Sequence, residues 1–151
     1  NKYFVILWIK SKTMNNTWKK ILIIILFCVY SGFSFSQDLL LFSDDDTFLG
    51  CLNCSEYSAE SICNEYGTYG SEYSAESIWN EFGTYGSEYS SESPWNEFSS
   101  NGPKIVDKNG NYYGRFSINT FSGYSNSDKL KEIYEHFDGD LEKIRDVFCE
   151  E

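Results

Sequence analysis

The sequence predicts a small α+β protein whose centre is an irregular, turn-rich repeat. Three observations predict this class: a 16-residue tandem repeat over residues 55–100, an Asn-Gly hairpin signal within residues 104–119, and two amphipathic runs within residues 128–149. The chain has 151 residues, a length that suits one domain of ordinary size. We expect a repeat of one-turn helices, then a β-hairpin, then a C-terminal helical hairpin.

The composition excludes several classes of partner. The chain has 12 basic and 23 acidic residues, for a net charge of −11. No nucleic acid is expected as a partner, because phosphate binding needs a basic face that releases counterions. Binding to an anionic membrane surface is excluded on the same ground. The aromatic content of 19% exceeds that of acidic disordered segments, so we expect a folded chain.

The first 36 residues are predicted to lie outside the mature protein. Residues 14–36 combine two lysines, an apolar run over 21–29 and small residues before Gln37, which is the layout of a secretory signal peptide. The apolar run is too short to span a bilayer. A retained membrane anchor and a lipid anchor at Cys28 are the alternatives. Residues 1–13 have no place in this layout and are interpreted as an upstream translation artefact.

A single mature domain over residues 37–151 would be more acidic than the whole chain. It holds all 23 acids and seven bases, for a net charge of −16. Between residues 38 and 100 there are 13 acids and no base. We expect an exported protein, periplasmic or extracellular, with no membrane span after signal cleavage.

Four cysteines remain after the signal: Cys51, Cys54, Cys63 and Cys149. An even number in an oxidising compartment predicts disulfides, although the sequence does not choose among the three pairings. A bridge from the first three to Cys149 would close a long loop and contribute on the order of 4 kcal/mol. The C-x-x-C spacing of Cys51 and Cys54 leaves a zinc site or a redox pair as alternatives.

The repeat consists of SEYSAESICNEYGTYG (55–70), SEYSAESIWNEFGTYG (71–86) and SEYSSESPWNEFSS (87–100). A fixed period means that each copy repeats one small structural unit, which its neighbours help to bury. Cys63 occupies the register position of Trp79 and Trp95, so a disulfide there would replace an aromatic side chain.

Helical turns are predicted at one register position of each copy. Ser93 followed by Pro94 is a strong start for a helical turn. By register, equivalent turns start at Ser61 and Ser77, and glycine follows each of them.

Three segments form a specific combined motif: LGCLNCSEY (49–57), the tandem SIWNEFGTYGSEYS block, and VDKNGNYYG (106–114). Together they resemble small exported bacterial proteins of unassigned function that carry a Tyr-rich repeat followed by a hairpin. The resemblance covers roughly residues 49–119. It implies no activity, substrate or catalytic residue.

After the repeat, Asn109-Gly110 between two apolar segments predicts the β-hairpin. Asp107, Asn109 and Asn111 also match the first ligands of a calcium loop. That alternative lacks the required Gly and Glu, because Tyr112 and Ile118 hold those positions.

The C-terminal region predicts two helices. Leu130, Ile133 and Phe137 share one helical face, and Asp138-Gly139-Asp140 ends the run. Ser127 or Asp128 is expected to cap the first helix, and Asp140 the second.

Little in the sequence points to catalysis. Nucleophilic catalysis of the Ser-His-Asp type needs an oriented imidazole, and the only histidine is His136. It is interpreted as an ordinary surface or boundary residue, with a ligand or base as the alternative. We expect no enzyme activity, no cofactor and no metal. The alternative is a small periplasmic hydrolase that uses paired carboxylates of the repeat.

The repeat surface is the predicted binding site. Glu56, Glu72 and Glu88 hold one register position, and stacked copies would align them into a row that could hold divalent cations or steer a basic partner. A solvated acidic face is the alternative. Together with the repeated tyrosines, Trp79 and Trp95 form either an exposed aromatic platform or the packing of the repeat itself. We expect a non-catalytic binding or envelope-associated module whose partner is an unknown protein or glycan.

Overall fold

The computed structural model describes residues 37–150. The predicted signal peptide and residues 1–13 lie outside this range. Six elements follow in order: strands β1 (Leu39–Phe42), β2 (Phe48–Cys51), β3 (Lys104–Asp107) and β4 (Tyr112–Arg115), then helices α1 (Ser127–His136) and α2 (Leu141–Cys149). The protein is therefore a small α+β structure.

The four strands form one antiparallel sheet in the order β2-β1-β3-β4. β1 and β2 precede the repeat, whereas β3 and β4 follow it. β1 pairs with β3 from Leu39 opposite Asp107 to Phe42 opposite Lys104. The sheet therefore joins the two ends of the repeat.

Neither β1 nor β2 was predicted from the sequence. Each strand has four residues, and both read as nearly unbroken apolar runs without the alternation of a half-buried strand. The feature that could have indicated these two strands is the turn between them. There the side chain of Ser43 donates to Asp45 and accepts from the backbone N–H of Thr47. Asp46 lies there at a φ of 64°, a conformation that Asp tolerates in turns.

Residues 55–100 fold as a succession of turns, and the structure assigns no helix within this range. Most turns are closed by an N–H bonding to the carbonyl three residues earlier, and one step per complete copy spans four residues. In the first copy the steps start at Ser55, Ser58, Ser61, Asn64 and Gly67. The 16-residue period thus consists of four steps of three residues and one of four.

Side-chain capping explains why turns replace the predicted one-turn helices at Ser61, Ser77 and Ser93. In the second copy, Ser77 Oγ accepts from Trp79 N at 3.1 Å, and Asn80 Oδ1 accepts from Phe82 N at 3.1 Å. The other copies repeat both contacts. A new side-chain acceptor competes for the backbone every few residues, so a helix cannot continue. The capping serines were predicted, but the helices were wrong.

The asparagine of each copy also links two turns. Asn80 Nδ2 donates to the carbonyl of Ser74 at 3.0 Å, and Asn64 and Asn96 make the same contact in their copies. A Cβ at Gly86 would lie 2.2 Å from the Asn80 carbonyl oxygen. Only glycine permits this close approach at the end of the copy.

Neighbouring copies are joined through their tryptophans. Trp79 Nε1 donates to the carbonyl of Ile62 at 2.7 Å, and Trp95 Nε1 donates to that of Ile78 at 2.6 Å. The two indole rings lie 5.3 Å apart. All four residues are buried, so the copies share one continuous core.

Helices α1 and α2, joined by residues 137–140, pack on this core. Tyr134 of α1 stacks on Trp95 at 5.8 Å, and Phe148 of α2 lies 6.3 Å from Trp79. Asp140 caps α2 by accepting from Lys143 N, which confirms that prediction. The predicted cap of α1 is wrong: Asn126 is the N-cap residue, and the Ser127 hydroxyl instead donates to Tyr124 O at 3.0 Å.

The four cysteines form two disulfides, Cys51–Cys54 and Cys63–Cys149. The prediction of disulfides is confirmed, and the pairing that the sequence left open is now defined. Because Cys51 and Cys54 bond to each other, their sulfur atoms do not form the zinc site considered above. The second disulfide attaches α2 to the first copy of the repeat.

Replacing Trp79 with Phe should destabilise the protein more than the lost contact area suggests. The substitution keeps an aromatic ring but leaves the buried carbonyl of Ile62 without its donor, which costs about 1–3 kcal/mol. Urea unfolding measures this loss. The control Phe121→Leu, at a 95% exposed position, should change stability by less than about 0.5 kcal/mol. Equal stability of both variants would contradict the role of the indole.

Removing the two disulfides should have unequal effects. The Cys63–Cys149 bridge joins residues 86 apart, so Cys63→Ala with Cys149→Ala should cost about 4–5 kcal/mol by chain entropy. Cys51→Ala with Cys54→Ala opens a separation of only three residues and should cost under about 2 kcal/mol. Chemical denaturation of both double variants tests the order, and a larger loss at Cys51 and Cys54 would refute it.

Candidate functional site

Two register positions of the repeat expose large aromatic side chains. Each of these six side chains is 84–92% exposed, and each directly follows a glutamate. The third position carries Tyr57, Tyr73 and Tyr89, and the twelfth carries Tyr66, Phe82 and Phe98. We call the preceding residues Glu56, Glu65, Glu72, Glu81, Glu88 and Glu97 the rim glutamates.

The turns of the repeat determine which aromatic side chains face outward. The N–H of Tyr73 bonds to Ser71 Oγ at 3.3 Å, and the N–H of Phe82 bonds to Asn80 Oδ1 at 3.1 Å. Both rings project into solvent. The turn at Ser77 has the same capping contact, yet it directs Trp79 into the core.

Grooves accompany the exposed rings, and three of them lie one in each copy. A further groove of about 510 Å³ lies between the second and third copies, bordered by Glu81–Phe82 and Glu88–Tyr89. The second groove has a volume of about 790 Å³ and is bordered by Glu72–Tyr73 on one side and Glu81–Phe82 on the other. Trp79 lies at its floor, and residues 137–143 form a further wall.

The first and third grooves use the same register positions. The first groove, of about 350 Å³, lies between Glu56–Tyr57 and Glu65–Tyr66, with Arg145 on the helical side. The third groove, of about 500 Å³, lies between Glu88–Tyr89 and Glu97–Phe98, with Lys131 and Tyr134 on the helical side. Each groove thus has two rim glutamates and two exposed aromatic rings along the borders that the repeat provides.

Only part of this arrangement was predicted from the sequence. Glu56, Glu72 and Glu88 each line the groove of their own copy. Trp79 and Trp95 are 2% and 1% exposed, so the structure gives them the packing role and not that of an exposed platform. The repeated tyrosines were considered for an aromatic platform together with the tryptophans, whereas Phe82 and Phe98 were missed as site residues. Their signal was the recurring unit of a polar residue, Glu and an aromatic residue.

Basic and hydroxyl groups of the helices contact several rim glutamates. Lys131 Nζ lies 2.6 Å from Glu97, and an Arg145 amino group lies 3.7 Å from Glu65. Hydrogen bonding to Glu97 raises the pKa of Lys131. Burial, together with the charge and hydrogen bonding of Glu88, raises the pKa of Tyr134 to about 12.

The glutamates also change the pKa of the exposed tyrosines that follow them. Hydrogen bonding to the preceding glutamate, with a further contribution from its charge, raises the pKa of Tyr57, Tyr66, Tyr73 and Tyr89. These phenols therefore stay uncharged to a higher pH than a free tyrosine does.

Asp107, the first residue of the calcium alternative, organises the turn between β3 and β4. Its carboxylate accepts from Asn109 N at 2.7 Å, Asn111 N at 3.0 Å, Asn111 Nδ2 at 2.7 Å and Tyr113 OH at 2.9 Å. Burial acts to raise its pKa, but these hydrogen bonds outweigh it and lower the pKa to about 2. Donors of the chain itself thus occupy both carboxylate oxygens.

Among residues 37–150, no group of three or more His, Cys, Asp and Glu side chains is arranged to hold a metal ion. His136 is exposed, with its ring 4.8 Å from that of Phe137. Within the same range, no helix has the length and apolar character needed to cross a membrane.

The chain matches no protein-family model, no curated protein and no solved structure.

Raising the pH should destabilise the native protein more steeply than it destabilises the Tyr134→Phe variant. The folded state keeps the Tyr134 proton up to a pKa of about 12, whereas an unperturbed tyrosine releases it near 10. The folded state therefore binds more protons in this window, and stability falls as pH rises through it. Urea midpoints between pH 10 and 12 measure the slope.

The control Tyr112→Phe removes a hydroxyl from a residue that lines none of the three grooves. It should retain the native slope over the same pH window. A Tyr134→Phe slope equal to that of the native protein would show that Glu88 and burial do not hold the proton.

Proposed function

We propose that this protein is an exported, non-catalytic binding module that holds an extended ligand along the three grooves of the repeat. The observation that carries this proposal is the exposure of six large aromatic side chains, each beside a rim glutamate. Extended apolar patches on a protein surface mark interaction sites, whereas scattered apolar residues do not. Here the exposed rings recur in register with grooves.

Repetition of the grooves favours a ligand that is itself repetitive or extended. Equivalent side chains border all three grooves, and the indole rings of neighbouring copies lie 5.3 Å apart. A segment of protein or glycan that lies along the copies would engage several grooves at once. Each additional contact is then intramolecular, which raises overall affinity without a strong individual site.

The hydrolase alternative would use two glutamates that face each other across a groove, such as Glu72 and Glu81. Glycoside cleavage needs one carboxyl kept protonated and the other ionised, which requires different surroundings for the two. The same pair recurs at the same register in three copies. This repetition supports binding over catalysis.

Export is supported by two independent features. The layout of residues 14–36 is that of a secretory signal peptide. The two disulfides are typical of proteins in oxidising compartments. A binding module at the cell envelope is consistent with both.

Removing the exposed rings of the second groove should abolish most binding. The probes are a soluble Lys-Ser alternating dodecapeptide and insoluble chitin, one basic and one neutral polymer. The native protein should bind at least one of them saturably. Tyr73→Ala with Phe82→Ala should weaken that binding by about 10-fold or more, since aromatic residues commonly dominate interface energy.

The matched control is Tyr112→Ala with Phe121→Ala. It removes two exposed rings outside residues 55–100. This control should bind like the native protein in both calorimetry and pelleting assays. Equal loss in the two double variants, or no binding of either probe by the native protein, would refute the proposal.

A further inference from the structure

We infer that the ligand of the grooves is a basic, extended polypeptide segment whose Lys or Arg side chains insert between the rim glutamates. This inference rests on the proposed function and names its ligand class. The observations that carry it are the distribution of charge, the placement of the chain's own basic residues, and the aromatic rings beside the carboxylates.

Negative charge is concentrated at the grooves. Residues 38–100 contain 13 acids and no base. Three of these acids pair with bases of the sheet region: Asp38 with Lys108 at 2.5 Å, Asp44 with Arg115 at 2.7 Å, and Asp46 with Lys104 at 2.8 Å. Six others are the rim glutamates. The border that the repeat contributes to each groove is therefore lined by one sign of charge, which attracts ligands of the opposite sign.

The chain's own side chains show what chemistry these borders accept. Arg145 reaches Glu65 in the first groove, and Lys131 reaches Glu97 in the third. Both basic residues come from the helical wall and meet the glutamate at the eleventh register position. A ligand that approaches from solvent would make the same contact with the glutamate at the second position, such as Glu72.

The exposed rings favour a cation over a neutral ligand. A Lys or Arg side chain over the face of Tyr or Phe is attracted by the ring as well as by a carboxylate. A neutral glycan would also stack on the rings, and its hydroxyls could donate to the rim carboxylates, but it would not neutralise their charge. Basic side chains satisfy both components of the site.

The spacing of the copies suits an extended peptide. Side chains on one face of an extended strand recur about every 6.6 Å, because each residue rises about 3.3 Å. The step between copies, measured between the Trp79 and Trp95 rings, is 5.3 Å. The long stems of Lys and Arg can absorb this small difference. Basic residues at alternate positions can therefore reach successive grooves.

Calorimetric titration with the Lys-Ser dodecapeptide tests the inference. Glu72→Gln with Glu81→Gln should weaken binding by about 10-fold, because it removes two carboxylates that the ligand contacts. The control is Glu76→Gln with Glu92→Gln, which makes the same change in net charge at the sixth register position, outside the three grooves. The control should weaken binding by less than about 2-fold.

Each outcome decides between the alternatives. The inference is supported if Glu72→Gln with Glu81→Gln weakens binding of the Lys-Ser peptide, the control does not, and a Glu-Ser dodecapeptide does not bind. Equal loss in both double variants means that only net charge attracts the peptide, and it overturns the inference. Binding of chitin alone, lost in Tyr73→Ala with Phe82→Ala, overturns the basic ligand but preserves the proposed function. Binding of neither polymer refutes both.

Discussion

The hydrogen bonds from Trp79 to Ile62 and from Trp95 to Ile78 are the links on which the stacked repeat depends. Within residues 62–100, as the structure describes them, the backbone forms turns and no strand ladder. Each copy thus satisfies much of its polar backbone locally, and little backbone is left to bond the next copy. Association of the copies therefore relies on apolar burial and on these two indole donors.

The same local turns also separate the core of the repeat from its surface. The capped turn at Ser77 directs Trp79 inward. The capped turns at Ser71 and Asn80 direct Tyr73 and Phe82 outward. The inward column is fixed by hydrogen bonds and by the helices packed against it. The outward rings contribute little to that packing, so the residue type at these positions can be determined by a ligand and not by the core. This separation explains how an identical scaffold can present three equivalent grooves.

The sequence predicts the period, the register and the secondary-structure class, because periodicity records which positions are equivalent. It does not predict the direction in which each position points. Ser71 and Ser77 make the same capping contact, yet one is followed by an exposed Tyr73 and the other by a buried Trp79. Serine caps a helix and an isolated turn with the same hydrogen bond, which is why helices were predicted. The partners of the acids before the repeat were also hidden, since they come from β3, β4 and the turn between them, far along the chain.

The two ends of the repeat show how a stack held by side chains can terminate. A tryptophan at position 63 would need an acceptor 17 residues earlier, by analogy with the other copies, and that position lies in the turn before β2. Cys63 carries no such donor and bonds instead to Cys149. At the other end, the carbonyl of Pro94 is the counterpart of Ile62 and Ile78, and it accepts from the backbone of Ile118 at 2.9 Å. Each end thus replaces the missing neighbour with a partner from the C-terminal part of the chain, as terminal units of repeat proteins must. The disulfide and the segment after β4 therefore act as caps, and they limit the stack to three copies.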